Sequence, residues 1–273
     1  MSERTSGTGG RPPVRFQRLA EQVADDLRSR ILMGDLGEGA ELPVEQLLRA
    51  EYPVSKPTLR EAMRVLEAEG LVTVRRGSIG GAVVHRPAAA NVAYTLGLVL
   101  ASRGIDISDV GAALREVEPS CAAACALRPD RAEAVLPELQ RLHDRSIEVV
   151  DDLVAATEAS RDFHEAIVAL CGNQSLTVMA GALEALWSTH ESAWAHRSST
   201  TTDIPVPERL DALNEHAELI TLIAAGDSEG ARRHAARHLT TSQTYPVDDE
   251  GPNRVDADAV RRSFVARTES PSA

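Results

Sequence analysis

Apolar residues recur at helical spacing near the start of the chain. Phe16, Leu19, Ala20, Val23, Leu27 and Ile31 mark one amphipathic helix; Gly34 stops it, and Gly37 and Gly39 keep the chain in a loop. Leu42-Pro43 opens a short predicted helix through Leu47, Leu48 and Ala50, which ends near Tyr52-Pro53. The next helix starts with Ser55 as N-cap and Pro57 in its first turn, where a missing N–H costs little. Leu59, Ala62, Met63 and Leu66 form its apolar face, and Gly70 ends it. The period then changes: Leu71-Val72-Thr73-Val74 and Ala82-Val83-Val84 read as two short strands, joined by a Gly-rich turn over Arg75–Gly81.

From Pro87 onward the strand signal is gone. Helices are predicted over 88–102, 106–127, 130–150, 153–171, 174–197, 206–225 and 228–240, separated by short breaks such as Gly172-Asn173 and Gly226-Asp227. Long helices with short connections imply an antiparallel bundle. The fold class expected is therefore mainly α. Residues 1–13 read as a disordered lead-in, 14–86 as one domain, 87–242 as an all-α domain, and 243–273 as a loosely ordered tail.

Charge sharpens this division. The 273 residues carry a formal net charge of −12, but 1–86 hold 13 Lys and Arg against 12 Asp and Glu, leaving 16 against 29 for the rest. A nearly neutral N-terminal part is thus joined to a strongly acidic one, which points to two domains with different jobs. No signal-peptide core precedes them, and the apolar run Ala93–Ala101 is too short to span a bilayer, so a cytoplasmic protein with no membrane partner is expected. Cys121, Cys125 and Cys171, an odd set without paired spacing, read as reduced, buried core residues.

Helix, helix, helix and then a basic Gly-rich hairpin is the order of a winged helix-turn-helix. Lys56, Arg60 and Arg64 recur every four residues on a second face of the third helix, away from the apolar one. A helix of this kind fills the major groove of double-stranded DNA, and basic side chains near its N-terminus meet base edges and phosphates. Arg75 and Arg76 at the hairpin supply charge for the backbone or minor groove. A solvated basic face on an ordinary helix is the bland alternative for the stripe alone, since Glu61 and Glu67 lie nearby.

Histidines carry the chemical signal of the second half. His216 lies ten residues before the Gly226 turn and His238 twelve after it, so the two stand at nearly one height on adjacent antiparallel helices. His164 lies eight residues before the Gly172 break, whereas His190, seventeen after it, is displaced along the bundle. Three converging imidazoles suit a divalent metal, with Zn²⁺, Ni²⁺, Mn²⁺ and Fe²⁺ not separable by ligand type. Polar core or surface histidines are the alternative.

The segments Leu42-Pro43-Val44-Glu45, Val54 to Val72 and Arg75-Arg76-Gly77 resemble the GntR family of winged-helix regulators, usually repressors. That resemblance carries DNA contacts onto Ser55, Lys56, Thr58 and Arg60 and onto Gly77 in the wing. Lys56 stands where arginine is commoner, and Gln46 where some members place a contacting arginine. The second half resembles the FadR-type effector-binding (FCD) domain through Glu118-Pro119, Ala122-Ala123-Ala124, Phe163-His164, Gly172-Asn173, Glu215-His216, Gly226-Asp227, Ala231 and His238-Leu239. In many such domains three histidines and an aspartate hold a metal that an organic acid completes, and His164, His216 and His238 fall on the histidine positions.

The aspartate position holds Ser160, while Asp162 points elsewhere on the helix. An arginine usually found one turn before Glu118 is replaced by Leu114, with Arg115 beside it as the candidate effector-binding residue. The resemblance implies a homodimeric repressor released from a near-palindromic operator by a small carboxylate. A longer acyl or apolar ligand, or no effector at all, are the open alternatives. A metal-dependent hydrolase is the rival of another class, disfavoured because Glu165 and Glu215 adjoin histidines along their helices and so diverge from them.

Overall fold

The computed structural model describes residues 14–42, 48, 50–75, 81–87, 89–198, 204–243 and 254–259. The chain divides into two compact units, Met1–Pro87 and Ala88–Ala273.

In the first unit, helix α1 (Val14–Met33) packs against α2 (Lys56–Ala68). Ala20, Val23, Ala24, Leu27 and Ile31 of α1 are buried, but Leu19 is 41% exposed, because it lies at the edge of their stripe. The side chain of Phe16 lies outside the described residues. Against the helices lies a three-stranded antiparallel sheet of β1 (Glu41–Leu42), β2 (Val72–Val74) and β3 (Ala82–Val84), in the order β1-β3-β2. Val72 pairs with Val84, Val74 with Ala82, and Leu42 with Ala82 across the other edge of β3. Leu42, Val72, Ala82 and Val84 thereby close one core with Leu27, Ile31, Leu59 and Leu66.

Strand β1 departs from the sequence reading, which opened a helix at Leu42. Two residues are too short for any period to register, and the free edge of β3 decides their state. Helix is present further on, at Leu48, Ala50 and Glu51; Pro43–Leu47 and Arg49 lie outside the described residues.

Helix α2 begins as expected. The Ser55 hydroxyl accepts the N–H of Thr58 at 3.3 Å, and Pro57 occupies the first turn. Past its end, the Val74 N–H donates to Glu67 at 3.1 Å and fastens β2 to the helix.

The second unit contains α3 (Ala89–Ser102), α4 (Ile107–Leu127), α5 (Arg131–Ala134), α6 (Leu136–Glu148), α7 (Leu153–Leu170), α8 (Gln174–Ser198), α9 (Val206–Ala225) and α10 (Ser228–Ser242). Helix α4 packs against α7, α8, α9 and α10 and joins two apolar cores. Its Ile107, Val110 and Leu114 meet Ala93, Leu186 and Trp187. Its Cys121, Ala122, Cys125 and Ala126 meet Leu139, Phe163, Ile167, Leu219 and Ile223. All three cysteines are free and buried. Between the two cores lie buried Glu118 and Pro119. Pro119 has no N–H, so the Arg115 carbonyl one turn earlier receives no helical hydrogen bond. At Gly111 a side chain would begin 2.8 Å from the Trp187 ring, so this contact between α4 and α8 requires glycine.

One sequence expectation needs correction here. The helix over 130–150 is two helices, broken at Val135 (φ −115°, ψ −55°). Pro137 explains the break: it removes a donor, restricts Leu136, and suits the first turn of a new helix. Of the segment 243–273, residues 243 and 254–259 are described. The Val255 N–H donates to the Ile105 carbonyl at 3.2 Å, and Val255 and Ala257 are buried. Two small apolar residues in a polar stretch give no periodic signal. Among the described residues no helix is long and apolar enough to cross a membrane.

Candidate DNA-reading face and candidate metal centre

In the first unit, helical spacing sets Lys56, Arg60 and Arg64 along one exposed side of α2. Arg64 is 75% exposed at its side chain and lies 3.4 Å from Glu61. Arg75, at the start of the hairpin turn, pairs with Glu41 at 2.6 Å. Such exposed pairs contribute little and exchange readily for phosphate. Thr58 is placed differently from the rest. It is buried, and its hydroxyl lies 2.7 Å from the Ser55 hydroxyl, so its visible work is to close the helix cap. Gln46, Arg76 and Gly77 lie outside the described residues.

In the second unit, α7, α9 and α10 bring His164, His216 and His238 together with their candidate ligand atoms all within 4.8 Å of one another. The left-handed Gly226 (φ 73°) turns α9 into α10 and makes the pairing of His216 with His238 possible. The Nε2 atoms of His216 and His238 are 3.0 Å apart, and those of His238 and His164 3.4 Å. Tetrahedral ligand nitrogens about 2.0–2.1 Å from Zn²⁺ stand roughly 3.3 Å from one another, which is the same spacing.

The opposite nitrogens fit that reading. His164 Nδ1 lies 2.6 Å from Glu118, and His238 Nδ1 lies 2.5 Å from Glu215. A carboxylate accepting the Nδ1–H fixes the tautomer whose Nε2 lone pair faces a metal. His216 instead stacks on Phe163 with ring centroids 4.1 Å apart, and its buried Nδ1 has no hydrogen-bond partner among the described residues.

Burial, reinforced by His238 and His164, holds His216 well below the usual imidazole range. Burial likewise lowers His164, against the opposing charge of Glu184 and Glu191, and lowers His238 to about 4. The three rings are therefore neutral at pH 7, the form that binds a cation. Glu118 is pushed up to about 7 by burial, and Glu184 is raised well above the carboxylate range by burial and by Glu118.

Glu215 corrects the sequence argument. It adjoins His216 in the chain and does diverge from it, but it thereby reaches His238 on the next helix. It is paired with His238 rather than standing as a free base. Ser160 lines the cavity beside His164, while Asp162 faces a separate groove with Arg145 and Glu158. His190 packs near Trp187, outside the trio.

Beside His164 lies a cavity of about 340 Å³, whose lining includes His164 but neither His216 nor His238. Arg115 does not line it, and donates instead to Gln243 at 2.7 Å. The arginines on its wall are Arg161 and Arg209, together with Glu184, Glu191, Trp187 and Trp194. Glu118 stood in the sequence only as part of a family motif. Arg161 carried no signal, because nothing in a helical period says which neighbour an arginine will face.

Comparison with known proteins gives two family matches. Residues 19–83 match the bacterial regulatory proteins of the gntR family, and residues 109–241 match the FCD domain. The HTH-type transcriptional regulator Mce2R of Mycobacterium tuberculosis is 27% identical over 85% of this chain and 93% of its own length. The HTH-type transcriptional repressor NanR of Klebsiella aerogenes is 39% identical over a shorter stretch, 29% of this chain and 30% of its own. Among solved structures, a GntR protein of Streptococcus agalactiae matches with a TM-score of 0.61 at 22% identity, over 82% of this chain and 98% of its own.

Proposed function

Since the chain belongs to the GntR family of DNA-binding transcription regulators and ends in an FCD effector domain, we propose that it is a metal-assisted repressor released from its operator by a small organic acid. It is a regulator and not an enzyme. The observation that carries the finer reading is the convergence of three neutral imidazoles whose Nε2 atoms meet at 3.0 and 3.4 Å. His164, His216 and His238 hold a divalent cation in this reading, and Glu118 and Glu215 orient two of them. When bound, the cation supplies a Lewis-acidic position for a carboxylate oxygen. Ser160 leaves the position of the usual aspartate to water or to that carboxylate. Buried charged groups on the cavity wall disfavour a long acyl chain.

On the DNA side, Arg60 reads base edges and Lys56 meets a phosphate at the same groove, with Arg64, Arg75, Arg76, Gln46, Ser55 and Gly77 at the backbone or groove edge. A homodimer places two such helices on the half-sites of a near-palindromic operator. Metal content of untagged protein, measured by plasma mass spectrometry, tests the centre. Near-stoichiometric metal in the wild type and its loss in the His164→Ala/His216→Ala variant are expected. Metal-free protein that takes up neither Zn²⁺ nor Ni²⁺ would overturn the metal reading.

A further inference from the structure

The cavity wall carries a buried positive charge with no counterion. Arg161 lies on α7, one turn before His164, and is 9% exposed. Its guanidinium crosses to α8, where Nη1 donates to the Ser188 carbonyl at 2.9 Å and to the Ser192 hydroxyl. Those are its only hydrogen bonds among the described residues, and no carboxylate there lies within ion-pair distance. Nε is buried without an acceptor. A buried cation without a partner is costly, and a guanidinium offers paired donors suited to an oxyanion. Arg209, the other arginine on the wall, is engaged with the carbonyls of Ile204 and Val150, at 2.8 and 2.5 Å.

We propose that Arg161 is the effector's second anchor and that the effector is a short dicarboxylate, with one end at the histidine trio and the other at Arg161. This rests on the carboxylate reading of the cavity given above and adds the second charge. Arg161 and His164 lie three apart on one helix, with Cβ atoms about 5–6 Å apart, and both line the one cavity, so a short diacid can reach from one to the other. The stripe Glu184, Trp187, Glu191 and Trp194 on α8 would suggest an ammonium group instead. Glu184, however, packs against Glu118 rather than standing free, Glu208 and Asp211 on the same wall are solvent-exposed, and the buried charge without an ion pair among the described residues is that of Arg161.

Trp187 and Trp194 are the chain's two tryptophans and both line the cavity, so their fluorescence reports binding directly. The test titrates the full-length, Zn²⁺-supplemented protein with butyrate, succinate and 4-aminobutyrate, which share a four-carbon skeleton and a carboxylate. Succinate should bind about tenfold or more tightly than butyrate, the worth of one charge-assisted pair. Arg161→Gln should lose that preference. Arg161→Lys, which keeps the charge but not the fork, should retain part of it and guards against misfolding of the neutral variant. Equal binding of butyrate and succinate, preference for 4-aminobutyrate, or an undiminished succinate preference in both variants would overturn the assignment and leave the carboxylate reading intact. No response to any of the three acids would overturn both.

Discussion

Glu118 is a single carboxyl whose placement sets a measurable pH dependence. Burial raises it to about 7 in the folded chain, against an ordinary value of 4.5. A raised group contributes stability that is fully present below pH 4.5 and is lost as pH rises through about 7. Gln at this position keeps an oxygen to accept from His164 but cannot ionise. In metal-free protein, the melting temperature of the wild type should therefore fall relative to Glu118→Gln between pH 5 and pH 8, followed by circular dichroism at 222 nm. A constant difference across that range would show that the carboxyl titrates as an ordinary one. The histidines act with the opposite sign. His238, lowered to about 4, contributes stability that is present above pH 6.5 and is lost as pH falls through about 4. Residue identity alone made the three histidines legible, because their distances from Gly172 and Gly226 fixed their heights along the bundle. It could not reveal Glu215 as the partner of His238, since the divergence that separates it from His216 shows only once two helices are docked.

At the scale of the element, α2 is the most legible part of the chain. Cap, first-turn proline, apolar stripe and terminal glycine all agree, so its boundaries and buried face follow from local rules. What failed nearby failed for want of length or of a neighbour: β1 exists because β3 offers an edge, and Thr58 turns inward because Ser55 needs closing. The exposed face then makes a specific prediction. Arg60→Ala should weaken operator binding by about 1–3 kcal/mol and relax the preference at one base position if the side chain reads a base. Lys56→Ala should weaken all sequences alike and lower the salt slope by about 1 if that side chain meets a phosphate. Gel-shift titrations at two salt concentrations separate the two behaviours. Wild-type affinity in both variants would remove this face from the interface.

For the whole molecule, the sequence displayed the division of labour as a change of period and of charge, and the chain divides at Pro87, one residue from the expected boundary. The pairing of helices in the second unit was less legible, because seven amphipathic stretches can dock in many ways and only contacts choose among them. If the cavity and the operator are coupled, the coupling is reciprocal. An acid that weakens operator binding by a given factor must itself bind the operator-bound protein more weakly by that factor. Tryptophan titrations with and without saturating operator duplex should return the same ratio as gel shifts with and without the acid. Unequal ratios would mean that the acid acts elsewhere.

Pro119 gives this coupling a mechanical form. A helix missing one rung bends more cheaply there than in either flanking stretch. In α4 that rung lies between two well-packed cores and next to Glu118, which pairs with His164. If the two cores move as blocks, the helix between them is the joint. A pull applied at His164 is then relieved as a change of angle between blocks, not as compression within either one. Motion of that kind grows with distance from the joint, so a shift too small to disturb the packing around the cavity becomes a larger displacement at the far ends of α4.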